Sequence, residues 1–252
     1  MMHLVIDIGN SSAKVGLWDG AAVVKADRME ADSDELAEFL DGVEVGAAGA
    51  VSVVPGENKA WSVVVKTATR HALRFFDHMS ALPVEIGYET PRTLGADRIA
   101  AAVGGFLDPM RQPGQTTIVV DAGTALNMEI VTPDGLYPGG IIAPGPELLR
   151  SSLRAGTAQL PLVELIAPQD LVGRSTDEAM RSGILWGFRE TVAGLIARVH
   201  EGTGEPFVVA TGGWAPWLSE HVTAIDVVRP HLVLRGVAAL LGGAVPKDGV
   251  NP

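Results

Sequence analysis

The chain has 252 residues, 47% of them hydrophobic, so it is long enough to bury a sizeable core and is not expected to be disordered. Its formal net charge of −11 argues against a general nucleic-acid binder, because such proteins carry clustered Lys and Arg. The chain has no Cys, which excludes disulfide scaffolds, thiolate zinc sites and Cys nucleophiles.

The N-terminus points to a cytoplasmic location. Residues 1–7 hold only a short apolar run, without the basic region and the long apolar stretch of a signal peptide. The later apolar run at 233–245 contains Arg235 and many small residues, so we expect a buried helix there and not a membrane span. The absence of Cys is mildly favourable to a reducing compartment. We therefore expect a cytoplasmic protein with no membrane partner.

Two segments, 4–18 and 117–131, share one pattern: an apolar run that ends in Asp, a turn of small residues, and a second β-rich run. The first turn follows Asp7 and the second follows Asp121. We expect each segment to form a hairpin with its carboxylate at the mouth of the turn. The repetition suggests a duplicated half.

The remaining elements complete two similar halves. The patterns predict helices over 34–40, 59–73, 147–153, 176–200 and 231–241, and strands over 43–54, 82–86 and 207–210. Ser175 is a competent N-cap for the long helix, with Glu178 in capping-box spacing. The run Arg-Gln-Pro-Gly at 111–114 is a plausible boundary. We therefore predict an α/β protein with domains 1–113 and 114–252 and a ligand cleft between them.

The first acid-tipped turn has the residues of a phosphate site. Gly9 permits close approach of the backbone, and Asn10 and Ser11 offer donors to phosphate oxygens. Asp7 is a candidate ligand for Mg²⁺, and Lys14 on the second strand can reach the phosphates. The alternative is an ordinary hairpin in which Asp7 caps its own turn and Lys14 points into solvent.

The second acid-tipped turn repeats this arrangement, and a glycine pair follows later in the chain. Gly123, Thr124 and adjacent amides are candidates to hold the transferring phosphoryl group, and Asp121 is a candidate cation ligand. Gly212 and Gly213 follow the strand predicted at 207–210 and offer a flat surface for a nucleotide base. Many strand-to-helix turns contain two glycines, so the glycine pair alone is a weak signal.

In this order, the three motifs resemble the phosphate 1, phosphate 2 and adenosine motifs of the acetate and sugar kinase, Hsp70 and actin superfamily. Further landmarks resemble type III pantothenate kinase over nearly the whole chain. They are Ser-Val-Val-Pro at 52–55, Tyr88 with Pro91, Gly-Ala-Asp-Arg at 95–98, Gly-Gly-Ile-Ile-Ala-Pro-Gly at 139–145, and Leu-Pro at 160–161. The resemblance implies two ribonuclease H-like domains with a cleft between them, the actin-like ATPase fold.

The resemblance also implies an activity: ATP-dependent phosphorylation of pantothenate to 4'-phosphopantothenate, the first step of coenzyme A biosynthesis. It implies Mg²⁺, which Asp7 would hold, and a monovalent cation, K⁺ or NH4⁺, at Asp121. It further implies a homodimer.

By the same resemblance, Asp97 is the general base for the pantothenate hydroxyl. Tyr88, Gly95 and Arg98 bind pantothenate, and Thr157 matches a position near it. A carboxylate can accept or orient a hydroxyl proton, and a guanidinium offers a planar fork to a substrate carboxylate. The alternative is that Asp97 and Arg98 are a solvated pair at a helix start. We expect the carboxylates at 7, 97 and 121 to meet around one triphosphate and its acceptor alcohol.

The sequence departs from the family pattern at a few positions. Asn127 and Glu129 stand where many relatives have Thr and Asp, Thr90 replaces Asn, and Ser11 replaces Thr. These departures leave open a nonenzymatic regulatory paralogue of the family. Another small-molecule kinase or a phosphatase of the superfamily is the second alternative.

Overall fold

The computed structural model describes residues 1–10 and 12–242. Contacts divide the chain into two compact units. Unit 1 comprises 1–111, 134–138 and the segment from 231 onward, and unit 2 comprises 112–133 and 139–230.

The described residues form twelve strands and seven α-helices. The strands are β1 (Met2–Ile8), β2 (Ala13–Trp18), β3 (Val23–Met29), β4 (Val45–Ser52), β5 (Leu73–Phe75), β6 (Glu85–Ile86), β7 (Thr117–Ala122), β8 (Ala125–Val131), β9 (Leu136–Tyr137), β10 (Gly139–Pro144), β11 (Phe207–Thr211) and β12 (Val227–Val228). The helices are α1 (Ser33–Phe39), α2 (Asn58–Thr69), α3 (Ala96–Phe106), α4 (Pro146–Gly156), α5 (Thr176–Glu201), α6 (Ala215–His221) and α7 (Leu232–Gly242). None of the described helices is both long and apolar enough to cross a lipid bilayer.

Unit 1 is built on a five-stranded sheet with the order β3-β2-β1-β4-β5. β1, β2 and β3 are antiparallel neighbours, and β4 and β5 run parallel to β1. Helices α1 and α2 bury Leu36 and Trp61 against one face of this sheet, where Ile6 lies. On the other face, Gly16 leaves room for Leu234 of α7.

Two glycines let α3 and α7 pack backbone to backbone. A β-carbon on Gly236 would collide with the carbonyl of Ala100, and one on Gly104 would lie 2.6 Å from the carbonyl oxygen of Leu232. Because side chains are excluded at these points, α3 is held closely against α7. The same helix carries Asp97 in its first turn.

Unit 2 repeats the sheet of unit 1. Its strand order is β10-β8-β7-β11-β12, with β7, β8 and β10 antiparallel and β11 and β12 parallel to β7. Helices α5 and α6 cover one face, where Phe188 and Val192 pack on Ile118 and Val120. Both predicted hairpins are present, and the two halves share one topology.

The contact division differs from the predicted domains 1–113 and 114–252 in two segments. Residues 134–138 belong to unit 1 because β9 pairs in parallel with β6. The segment from 231 onward belongs to unit 1 because α7 packs on β1, β4 and α3. Each segment contacts elements of unit 1 that are distant from it in sequence.

The local predictions differ from the structure mainly at element ends. The helix predicted over 59–73 ends at Thr69, because Arg70 takes a left-handed backbone with φ 64°. Of the strand predicted over 82–86, only Glu85–Ile86 is β-structure. The Ser175 cap is confirmed, since its hydroxyl oxygen accepts the Glu178 N–H at 3.2 Å.

Candidate active site

The first acid-tipped turn joins β1 to β2. Asp7 is the penultimate residue of β1 and lies opposite Lys14 in the antiparallel register. The Gly9 N–H donates to the Ser12 carbonyl at 3.3 Å, and a β-carbon on Gly9 would lie 3.2 Å from that oxygen. The turn is therefore tight, and it leaves Asn10 exposed.

Ser11, which the sequence placed in this phosphate site, lies outside the described residues. The turn also borders a cavity of about 470 Å³ with carboxylates from Glu30, Asp32 and Glu57 on its wall. Backbone N–H donors from Glu35 and Asp34 lower the pKa of Asp32, which caps α1. The sequence analysis missed this acidic wall, although an Asp just before a helix is a recognisable cap signal.

The start of α3 brings four predicted acceptor-site residues together. Gly95 is the N-cap, and a β-carbon there would collide with the carboxylate of Asp97. Asp97 Oδ1 accepts the Arg98 N–H at 2.8 Å. The Arg98 guanidinium lies 6.0 Å from the centre of the Tyr88 ring. All four residues are partly exposed.

The second acid-tipped turn joins β7 to β8 in unit 2. The Gly123 N–H donates to the Ala125 carbonyl at 3.0 Å, and Thr124 is exposed. Gly145, the N-cap of α4, donates its N–H to the Thr124 carbonyl at 3.1 Å, and a β-carbon on Gly145 would collide with the Gly123 carbonyl. The sequence analysis noted the 139–145 run but did not assign Gly145 to this turn. A helix-starting Gly-Pro pair was the available signal.

The glycine pair lies directly beside this second turn. Gly212 has φ +89°, and a β-carbon on it would lie 2.5 Å from the Ala122 carbonyl oxygen and 2.7 Å from Asp121 Oδ1. The Trp214 N–H donates to the same Ala122 carbonyl at 3.0 Å. Asp121, Gly123, Thr124, Gly212 and Gly213 are thus brought together in unit 2.

Thr157 lies on a different element of unit 2. It is the exposed C-cap of α4, and its hydroxyl donates to the Leu153 carbonyl at 2.8 Å. Thr157 therefore belongs to the end of a helix, while the other four predicted pantothenate residues belong to unit 1.

Within residues 1–10 and 12–242, no group of three or more His, Cys, Asp or Glu side chains could hold a metal ion. Asp121 is partly exposed, and its carboxylate oxygens are hard donors of the kind that a hard cation takes.

Two similar sheets, each with an Asp-tipped hairpin, define a protein of the actin-like ATPase fold. Solved structures share this fold. A ROK hexokinase from Thermus thermophilus matches with TM-score 0.52 and 15% identity, covering 96% of this chain and 99% of that one. A candidate Baf family transcriptional activator from Campylobacter jejuni matches with TM-score 0.60 and 19% identity, covering 95% and 98%. At these identities the likeness shows the fold alone, and it confirms the predicted fold class.

Sequence comparison gives the family. The family model described as type III pantothenate kinase matches residues 3–198. A type III pantothenate kinase from Akkermansia muciniphila is 37% identical over 250 residues, covering 96% of this chain and 99% of the relative. One from Desulfosudis oleivorans is 34% identical over 251 residues, covering 94% and 97%. The chain belongs to the type III pantothenate kinase family.

Proposed function

We propose that this protein transfers the γ-phosphoryl group of ATP to the primary hydroxyl of pantothenate, giving 4'-phosphopantothenate, the first step toward coenzyme A. The observation that carries the proposal is the start of α3, where Asp97 and Arg98 present an acid and a cation side by side. Membership of the type III pantothenate kinase family supplies the substrate.

In the proposed reaction, the Asp97 carboxylate orients the acceptor hydroxyl and accepts its proton. Arg98 binds the pantothenate carboxylate through two parallel N–H donors, with Tyr88 beside it. Gly95 contributes by leaving space for the Asp97 carboxylate. Thr157 also contacts pantothenate in this proposal.

The two hairpin turns bind the phosphates. At the first turn, Asn10, Ser11 and Lys14 bind phosphate oxygens. At the second turn, Gly123 and Thr124 do so. Catalysis of phosphoryl transfer depends mostly on positioning the reactants and neutralising the phosphate charge. Backbone N–H and hydroxyl donors held in rigid turns can provide both.

Cations offset the negative charge of the nucleotide. Asp7 would hold Mg²⁺, which neutralises phosphate oxygens when bound, and Asp121 would hold K⁺ or NH4⁺. Gly212 and Gly213 offer the surface for adenosine. The proposal includes a homodimer and a cytoplasmic location, and both stay predictions.

The direct test is to measure 4'-phosphopantothenate formation with ATP, Mg²⁺ and K⁺. Asp97→Asn should lose turnover while nucleotide binding persists, because it removes only the proton acceptor. Asp177→Asn is the matched control, since Asp177 also lies in the first turn of a helix, at an exposed position. Folded wild-type protein without detectable turnover would reject the proposal. Nucleotide binding without turnover would then favour a regulatory paralogue, and a screen of sugar substrates would identify a different kinase.

A further inference from the structure

Glu129 is a fully buried carboxylic acid in β8, with 0% of its surface exposed. Burial of a carboxylate is costly unless other groups compensate for the lost water. Glu129 does have an interaction partner in the structure. The burial of Glu129, in the strand that pairs with the strand of Asp121, therefore needs a physical explanation.

The strand pattern places Glu129 on the same face of the sheet as Asp121. Leu126 and Met128 of β8 belong to the apolar core beneath α5 and α6. Side chains alternate along a strand, so Asn127 and Glu129 lie on the opposite face. Asp121 pairs directly with Asn127, and paired residues share a face.

Glu129 and Asp121 form a diagonal pair across the two strands. Val119 is the direct partner of Glu129 and lies two residues before Asp121. Diagonal neighbours in an antiparallel pair are roughly 7–8 Å apart, which is within reach of long side chains. At this separation one carboxylate changes the electrostatic potential at the other, and the burial of Glu129 limits screening by water.

We propose that Glu129 is a positioning residue for the monovalent cation: its negative charge strengthens cation binding at Asp121 without touching the cation. The inference rests on the proposed function, which places K⁺ or NH4⁺ at Asp121. The inference requires an ionised Glu129, and removal of its charge then makes the local potential more positive whichever side chains pair with it.

The test is a K⁺ titration of the purified protein without substrates, at constant ionic strength set with choline chloride, followed by thermal unfolding. Wild-type Tm should rise with K⁺. In Glu129→Gln, the K⁺ concentration that gives half of the Tm increase should be about ten-fold higher than in the wild type. The reason is the loss of one negative charge at this distance from the cation. Glu129→Asp keeps the charge and should stay near the wild-type concentration. A purely structural role would instead lower Tm equally at every K⁺ concentration.

Two further variants separate the possible outcomes. Asp121→Asn should abolish the K⁺ response, and Asn127→Asp, which adds a charge directly opposite Asp121, should lower the K⁺ concentration needed. If Asp121→Asn loses the response while Glu129→Gln keeps it unchanged, the role of Glu129 is overturned and the proposed function stands. No K⁺ response in the wild type would overturn both the cation site and this inference. If Glu129→Gln does not fold, an unchanged response in Asn127→Asp overturns the inference.

Discussion

The carboxylate of Asp121 rests against Gly212: Oδ1 lies 2.7 Å from the point where a β-carbon on residue 212 would stand. The backbone of Gly212 is left-handed, with φ +89°, and the Ala122 carbonyl oxygen lies 2.5 Å from the same point. Glycine is the residue that tolerates both the dihedral angle and the close approach. The second acid-tipped turn and the glycine pair are therefore one packed structure in unit 2.

Gly212→Ala should weaken both the fold of unit 2 and its nucleotide site. The strained backbone should cost about 1–3 kcal/mol in the free energy of unfolding, and the displaced Asp121 should weaken ATP binding. Urea unfolding and calorimetric titration with ATP measure the two effects. Gly204→Ala is the matched control, because Gly204 also lies in unit 2 and a β-carbon there meets nothing within 4 Å. Equal effects of the two substitutions would contradict this account.

Gly95→Ala should reduce turnover more than it reduces stability. The new methyl group would push the Asp97 carboxylate from its position, and a misplacement of about 1 Å can cost as much as about 100-fold in rate. Steady-state kinetics give kcat, and thermal unfolding gives stability. Gly187→Ala in the open middle of α5 should leave kcat unchanged and stabilise by about 0.5–1 kcal/mol. An unchanged kcat in Gly95→Ala would show that Asp97 does not need its present position.

Arg98→Lys should raise the KM for pantothenate by about ten-fold and leave the KM for ATP unchanged. Lysine keeps the charge but lacks the planar fork that holds a carboxylate with two hydrogen bonds. Initial rates with each substrate varied in turn provide the measurement. Arg92→Lys is an exposed control, since Arg92 lies in a short 3-10 helix, Pro91–Thr93, just before α3. A rise in the KM for ATP instead would place Arg98 at the nucleotide.

His231 should lower the free energy of unfolding as the pH falls below neutrality. Partial burial, and then the charge of Lys14, lower its pKa below the ordinary 6.5. Because the folded pKa is the lower one, the unfolded chain takes up a proton first as pH falls below 6.5, and stability is lost in that window. His231→Gln should lose less stability than the wild type between about pH 7.5 and pH 5.5. Urea midpoints at the two pH values provide the check, with the exposed His200→Gln as control.

Sequence reasoning succeeded where a structural signal is local. The hairpins at 4–18 and 117–131 were predicted from apolar runs that end in Asp and turn at glycine, and both are present. It did not predict the extent of α3, although Asp97 and Arg98 were considered as a pair at a helix start. Most residues of α3 are buried, including Gly104 and Gly105, so the helix has no polar face to produce a period of 3.6 residues. Edge strand β3 was missed because four of its seven residues are exposed and three are charged, which hides the alternation of a half-buried strand.

The sequence by itself determined the two acid-tipped turns, their order along the chain and the adjacency of residues 95, 97 and 98, because these features depend only on neighbours in the chain. Only the tertiary structure decided that Gly212 packs on Asp121, that Gly145 closes the second turn and that Glu129 is buried on the Asp121 face. These relationships join residues distant in sequence, and sheet register and close backbone packing set them.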